Sequence, residues 1–518
     1  MTIRYPDLRG FLKAVTLAAA ALTVSQDAAA EWTDVRRPNI LLIMADDMNW
    51  NGPGCFGGTA PDVTPNIDRL ASQGMRFRHA HVTIAVCTPS RSVLLTGRYP
   101  HRNGVEGFQR IRVDVPTLPA LLRKAGYVCA TIGKPLGQQE KFEWSREYVY
   151  QGRADEDMWG RDPSIYYRFA RTFIKDALAS KRPFFLMANS HDPHRPFHGS
   201  ADELKPSGQG PREVAPPSRS YGPEEVEVPG FLPDLPEIRR EIAQYYSSVR
   251  RCDDTVGVVL RVLKELGVED NTLVMFMSDN GMSFPFAKTN CYLHSTRTPW
   301  IVRWPGRIKP DHVDEEHLIS GIDFMPTILE AGGIKPPEGM DGASLLPILF
   351  GGRQPGRDQV FTQFNHIHGR RPYPMRCLQN RRFGYIFNAW SDGSRVYDAE
   401  PLSGLTFEAM KQATVDDTRI AARVRMLQHR VVDELYDFRN DPDALHNLID
   451  DPQYREEADR LRGQLLEWMR RTGDPALEAF EGRHSPAALE RFMARYKTKA
   501  AKEIEALEEY ERRTGYRF

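Results

Sequence analysis

Four stretches of this chain are apolar for the length of a strand, and each breaks at once into polar residues. The first, Asn39-Ile40-Leu41-Leu42-Ile43-Met44-Ala45, runs into Asp46-Asp47. Tyr127-Val128-Cys129-Ala130-Thr131-Ile132 runs into Gly133-Lys134, and Pro183-Phe184-Phe185-Leu186-Met187-Ala188-Asn189-Ser190 into His191-Asp192-Pro193-His194. The last, Asn271-Thr272-Leu273-Val274-Met275-Phe276-Met277-Ser278, ends in Asp279-Asn280-Gly281. Unbroken apolar runs suit strands covered on both faces, whereas half-exposed strands alternate. Helical periodicity lies between them, from Asn66 to Gly74, Leu118 to Gly126 and Ile242 to Leu266. Together these predict βαβ units and an α/β fold. Ligands of such sheets bind beyond the carboxyl ends of the strands, where all four polar clusters fall.

At 518 residues the chain is long enough for a large core and a second unit. We expect a catalytic domain over residues 31–355, a smaller unit over 356–475 beginning with the strand-like Val360-Phe361-Thr362, and a charged helical tail over 476–518. The tail, Ala487 to Arg513, reads first as a surface helix and second as an oligomer contact. Residues 1–30 differ in kind: Arg4 and Arg9, a short apolar run from Leu12 to Val24, then Asp27-Ala28-Ala29-Ala30. That pattern predicts a signal peptide and an exported protein, periplasmic or secreted. The apolar run is shorter than the ~20 residues that span a bilayer, so no membrane span is expected.

With 69 basic and 69 acidic residues, no global field favours nucleic acid, and an anionic substrate has to be caught by a local cluster. The six cysteines (55, 87, 129, 252, 291 and 377) contain no CxxC pair, which argues against a zinc ribbon. Asp46, Asp47, Asp279 and Asn280 offer only oxygen, the ligand set of Ca²⁺ or Mg²⁺. Arg91, Lys134 and Lys288 can supply positive charge, and a histidine the proton that a leaving atom needs.

Cys87 opens the segment Cys87-Thr88-Pro89-Ser90-Arg91-Ser92-Val93-Leu94-Leu95-Thr96-Gly97. Thr88 reads as an N-cap, Pro89 as the first helical residue and Gly97 as the exit. A thiol at a helix N-terminus is expected to have a lowered pKa.

The segment fits the pattern Cys-x-Pro-Ser-Arg-x-x-x-Ser/Thr-Gly at every specified position, so the chain resembles the formylglycine-dependent sulfatases. That resemblance implies an alkaline-phosphatase-like fold with a large, mostly parallel mixed sheet and a smaller C-terminal α+β subdomain. It further implies that a separate formylglycine-generating enzyme oxidises Cys87 to an aldehyde, whose hydrate is the nucleophile. Asp46, Asp47, Asp279, Asn280 and the modified residue 87 would hold the metal, usually calcium, and His194, in His194-Arg195-Pro196, would act at the leaving group.

Three stretches resemble one branch, the N-sulfoglucosamine sulfohydrolases: His191-Asp192-Pro193-His194-Arg195, Ser278 through Asn290, and Tyr373-Pro374-Met375-Arg376 with Gln379 and Phe383. Glu434-Leu435-Tyr436-Asp437, Asp441-Pro442 and Asn447-Leu448 extend the likeness towards residue 470. The implied substrate is N-sulfated glucosamine of heparan sulfate or heparin fragments. Two positions depart from the branch. Gly133-Lys134-Pro135-Leu136-Gly137 lacks the family's histidine, for which His191, His294 and His366 are replacement candidates, and Lys288 stands where the branch carries arginine. Substrate-side candidates are His191, His366, His368, Arg370, Arg371 and Arg376. The rival readings are an O-sulfatase on another glycan or small ester, a phosphonate monoester hydrolase, and a glycan-binding relative without turnover.

Overall fold

Eight strands build the larger sheet: β1 (Asn39–Ala45), β2 (Met75–His81), β3 (Val128–Gly133), β4 (Arg146–Val149), β5 (Phe184–Asn189), β6 (Thr272–Ser278), β7 (Trp300–Arg303) and β8 (His312–Ser320). Their order in the computed structural model is β4-β3-β5-β1-β6-β7-β2-β8. The model describes residues 37–136, 139–149, 160–204, 214–366 and 371–514. The expected leader, Gly137, His368, Arg370 and residues 515–518 lie outside the described residues.

The central strands are those whose apolar runs were unbroken. β1 pairs in parallel with β5 and with β6, and β5 with β3. Every residue of β1, β5 and β6 is buried, as strands covered by helices on both faces must be. The sequence pattern does not reveal the flanks. β2 (MRFRHAH), β4 (REYV) and β8 (HVDEEHLIS) carry charges because their surroundings are part solvent, and β7 is four residues long. β7 alone runs antiparallel, against β6 and β2. The sheet is therefore mixed and mostly parallel, and β1, β3, β5 and β6 end on one edge.

The helix Pro236–Glu265 begins before the periodicity read from Ile242, because its first turn is polar and starts on Pro236, a residue suited to the first helical position. A second, antiparallel sheet follows in the order β12-β11-β10-β9, built of β9 (Gln359–His366), β10 (Pro372–Asn380), β11 (Phe383–Asn388) and β12 (Asp433–Asp437). Helices Arg455–Thr472 and Pro486–Thr514 come after it. One hydrophobic core runs from Leu41 and Phe276 on the large sheet to Met375, Phe387 and Trp468 around the small one. The small sheet is thus packed into the same body as the large one. Among the described residues no helix is long and apolar enough to cross a membrane.

Candidate active site

Backbone hydrogen bonds lace the three central strand ends together. Asp46 N–H donates to the Asp192 carbonyl (3.1 Å), Asp279 N–H to Ala45 (3.2 Å) and Ser190 N–H to Met44 (2.9 Å). Past β1 the chain turns sharply, with Asp47 at φ 67°, a left-handed conformation that aspartate tolerates better than most residues. Its N–H then donates to Asp279 Oδ1 (3.1 Å), and Met48 N–H to Ser278 Oγ (2.8 Å). Asn280 Nδ2 donates to Asp47 Oδ1 at 2.7 Å. Asp46, Asp47, Asp279 and Asn280, which lie far apart in the chain, thereby form one fully buried group.

Cys87 is the first residue of the helix Cys87–Thr96, which Val86 caps and Gly97 ends at φ 62°. The helix starts one residue earlier than the Thr88 cap expected from sequence, because Ser90 N–H closes its turn on the Val86 carbonyl (3.0 Å). The expected lowering of the thiol pKa also fails. Burial raises it, and nearby Asp46 and Asp279 add to the rise against Lys134 and Lys288. Arg91, four residues on, faces inward: Nε donates to Asp279 Oδ2 (2.9 Å) and Nη1 to Asn189 Oδ1 (2.6 Å), and Nη2 lies 2.7 Å from the same Asp279 oxygen.

Two further cations, an imidazole and an unforeseen acid complete the group. Lys134 follows Gly133, and its ammonium contacts Asp46 Oδ2. Lys288 Nζ sits 2.7 Å from Asp47 Oδ2 and 2.8 Å from Glu400 Oε2. His194 donates from Nδ1 to the Arg195 carbonyl (2.6 Å), which leaves Nε2 facing Asp47 Oδ2 and Glu400 Oε1, each 3.9 Å away. The His194 loop is braced from behind, where Asp192 meets both Arg161 and Arg251. Exposure marks the mouth of the site: the side chains of Lys134, His194 and Glu400 are 15%, 26% and 39% exposed, against 1–3% for Lys288 and Arg91.

The carboxylates are crowded. Burial, with Asp46 close by, pushes both Asp47 and Asp279 up to about 6 despite Lys288 and Arg91. Burial acts on Asp46 in the same sense, but Lys134, His194 and Arg91 together hold it well below the usual range. His194 is lowered to about 4 by burial and by Lys288 and Lys134, so its imidazole is neutral at pH 7. Asp46 Oδ1 and Asn280 Oδ1 are buried with no hydrogen-bond partner. Two orphaned oxygens among three repelling carboxylates fit a hard divalent cation, which would satisfy the first and relieve the second. Asp46, Asp47 and His194 also bring ligand atoms within 4.8 Å of one another.

The remaining sequence candidates separate clearly. Burial and neighbouring Lys134 and Arg161 hold His191 well below the imidazole norm, and Asp46 and His194 also act on it, so it belongs to the group. His294 is elsewhere, between Trp50 and Asp443. Arg376 is fully buried, with Nε on Asp474 Oδ2 (2.5 Å) and Nη1 on Asn365 Oδ1 (2.9 Å), and has no surface for a substrate. Its expected substrate role is thereby corrected to a structural one. His366 is likewise buried, packed so closely on Gly107 that a Cβ there would lie 2.1 Å from its ring, with Nε2 2.6 Å from Gln109 Nε2. Its expected contact with substrate gives way to packing, and Arg371 is exposed and paired with Asp398. Sequence reasoning missed Glu400, Ser283 and Asn189. Glu400 lies in Asp398-Ala399-Glu400-Pro401, more than a hundred residues beyond Lys288, and no local pattern singles it out.

Residues 38–334 match the Sulfatase family model, and residues 282–399 the model described as N-sulphoglucosamine sulphohydrolase, C-terminal. Human N-sulphoglucosamine sulphohydrolase is 32% identical over 476 residues, which cover 86% of this chain and 93% of the human protein. A solved complex with its substrate D-glucosamine-2-N,6-O-disulfate superposes with a TM-score of 0.62 at 19% identity, covering 85% of this chain and 99% of that one. The phosphonate monoester hydrolase of Agrobacterium radiobacter gives a TM-score of 0.60 at 19% identity, covering 84% and 96%. At these identities the two structures speak for the shared alkaline-phosphatase-like fold. The family match spans more than half of the chain and includes every residue of the buried group except Glu400: this protein belongs to the sulfatase family.

Proposed function

We propose that this sulfatase hydrolyses N-linked sulfate from glucosamine at the ends of heparan sulfate or heparin fragments, with residue 87 converted to formylglycine by a separate maturation enzyme. The observation that carries the reading is the buried group itself: orphaned Asp46 Oδ1 and Asn280 Oδ1 lie among acids, Lys134 and Lys288, all acting on the first residue of the Cys87 helix. The choice of N-sulfate rests on the likeness to the human N-sulphoglucosamine sulphohydrolase along most of both chains.

Asp46, Asp47, Asp279 and Asn280 would hold a divalent cation, calcium or magnesium. A bound cation polarises sulfate oxygens and favours ionisation of a hydroxyl. The formylglycine hydrate supplies two geminal hydroxyls, one to attack sulfur and one whose ionisation expels sulfate. Lys134, partly exposed, presents its ammonium to the anionic sulfo group, while buried Arg91 keeps Asp279 and Asn189 in place. Lys288 anchors Asp47 as a point charge, where the related branch has a guanidinium. His194 is oriented by its Nδ1–H so that Nε2 meets the leaving nitrogen, which needs a proton as the S–N bond breaks. An anionic substrate beside His194 favours the imidazolium that can give this proton. His191 takes the place of the histidine missing after Lys134, since it is the one candidate of the three that shares charges with Lys134 and Asp46. Export and a boundary between catalytic and C-terminal units near residue 355 complete the proposal.

Sulfate release from N-sulfoglucosamine, set against an aryl sulfate and phenyl phosphonate, tests the specificity, and mass spectrometry of the Cys87 peptide tests the nucleophile. We expect turnover of the sulfamate and a peptide mass matching the aldehyde or its hydrate. Turnover of the aryl sulfate or phosphonate without the sulfamate favours the rival hydrolases. Unmodified cysteine, in a host able to make formylglycine, rules out the proposed chemistry.

A further inference from the structure

Glu400 lies outside the large sheet's strand ends, the loop after β6 and the Cys87 helix that supply the rest of the group. It opens a single 3-10 turn, Glu400–Leu402, between the second sheet's β11 and β12. Its carboxylate accepts from Lys288 Nζ (Oε1 at 3.1 Å, Oε2 at 2.8 Å) and from Ser283 Oγ (3.0 Å). It is also the most exposed charged side chain of the site.

The segment carrying Glu400 is fixed on both sides. Upstream, Tyr397 donates to the Thr289 carbonyl at 2.6 Å, next to Lys288. Downstream, Glu241 accepts from the N–H groups of Leu405 (3.1 Å) and Thr406 (2.8 Å), and Arg195, the neighbour of His194, binds the same Glu241. Gly404 leaves room for this clasp, since a Cβ there would lie 2.2 Å from Arg195 Nη2. The leaving-group histidine and Glu400 are therefore held by one ion pair, and Oε1 lies 3.9 Å from His194 Nε2.

A carboxylate at this point is a poor neighbour for the sulfo group being transferred. Two negative charges a few ångströms apart repel strongly where burial keeps bulk water from screening them. It is a good neighbour for hydrogen-bond donors and for positive charge. Cleavage of a sulfamate with one proton from His194 releases a neutral amine, which takes a second proton from water at neutral pH to become an ammonium. We infer that Glu400 is a specificity-determining residue that reads the sugar side of the scissile bond, accepting from the N–H and O–H donors of glucosamine and opposing a second anionic group beside the one removed. The inference rests on the sulfatase reading of the site and adds the part of the substrate that the strand ends do not reach.

Wild-type protein and the shape-conserving Glu400→Gln variant, both carrying formylglycine and calcium, separate the possibilities. Calorimetry measures binding of D-glucosamine and D-glucose, and kinetics give kcat and KM for N-sulfoglucosamine and for 4-nitrophenyl sulfate, with melting temperatures to verify folding. The wild type is expected to prefer glucosamine over glucose about tenfold or more, and E400Q to lose most of that preference. The sulfamate-to-aryl ratio of kcat/KM should fall by a similar factor, chiefly through KM. Failure of the wild type to hydrolyse the sulfamate defeats the N-sulfatase proposal, while the calorimetry still decides the role of Glu400. A wild type indifferent to the amine, a preference that survives in E400Q, or an equal loss on both substrates overturns the inference and leaves Glu400 as a counter-ion for Lys288.

Discussion

Cys87 shows how little a residue's address settles. A helix start alone predicts an acidic thiol, yet burial and two nearby carboxylates raise its pKa. The position is therefore poorly suited to a working thiolate and well suited to a residue whose reactivity is installed chemically. Arg91 makes the complementary point. Its charge is spent on Asp279 and Asn189, so its effect on an anion is indirect. At this scale the metal reading gives a direct expectation. Calcium at about a hundred times its dissociation constant stabilises by about 2.7 kcal/mol, so it should raise the melting temperature of the wild type by about 2–3 °C. Asp46→Asn, which removes one of the three carboxylates around the orphaned oxygens, should lose most of that shift in differential scanning calorimetry. An undiminished shift would place the cation elsewhere.

Among the elements, the junction of β3 with Lys134 is the most constrained. Gly133 sits at φ 85°, and a Cβ there would lie 2.1 Å from Tyr166 Oη and 2.2 Å from the Asn189 carbonyl. Those two groups are themselves hydrogen-bonded at 2.7 Å, and Lys134 N–H donates to the same carbonyl. A side chain at 133 thus displaces the lysine and the end of β5 together. Gly133→Ala should cost about 1–3 kcal/mol from the strained backbone alone. Urea unfolding measures the loss, and activity should fall more steeply than stability at 25 °C because Lys134 moves with the backbone. Gly97 ends the Cys87 helix by the same positive-φ device, a sequence signal that was read correctly.

For the whole molecule, pH response is written near one flank of the large sheet, on the strand next to its edge. On β2, burial and the charges of Arg297, Arg381 and Arg78, against Asp314, lower His79 to about 4, and burial with Arg297 and His79 holds His81 well below its norm. Both are depressed bases, so between pH 6.5 and about 4 the unfolded chain binds protons that the native protein refuses. Their effect is absent above the unfolded pKa, and stability is lost as pH falls towards the folded value. Urea unfolding midpoints should drop between pH 7 and 5, and the His79→Gln, His81→Gln double variant should flatten that slope. Glu203 acts lower down: against the rise caused by burial, a hydrogen bond from His198 and the charge of Arg251 bring it to about 2, so its contribution survives until pH falls below 4.5.

By itself the sequence determined the central strands, the edge of the sheet on which the polar clusters lie, the Cys87 motif and the four oxygen donors. Each was legible because its cause is local: a strand buried on both faces must be apolar throughout, and a motif of fixed spacing folds as one short helix. The flanking strands β2, β4 and β8 were hidden because solvent relaxes that demand, and the two sheets share a core that no linker composition could reveal. Arg376 looked like a sugar contact because a charge in a basic stretch reads as exposed, and only packing shows Asp474 closed over it. The thiol's raised pKa, the orphaned oxygens of Asp46 and Asn280, His191 as the neighbour of Lys134, and Glu400 at the mouth were decided by tertiary structure alone. Electrostatics depends on distance and burial in space, and these bring together groups that the chain keeps hundreds of residues apart.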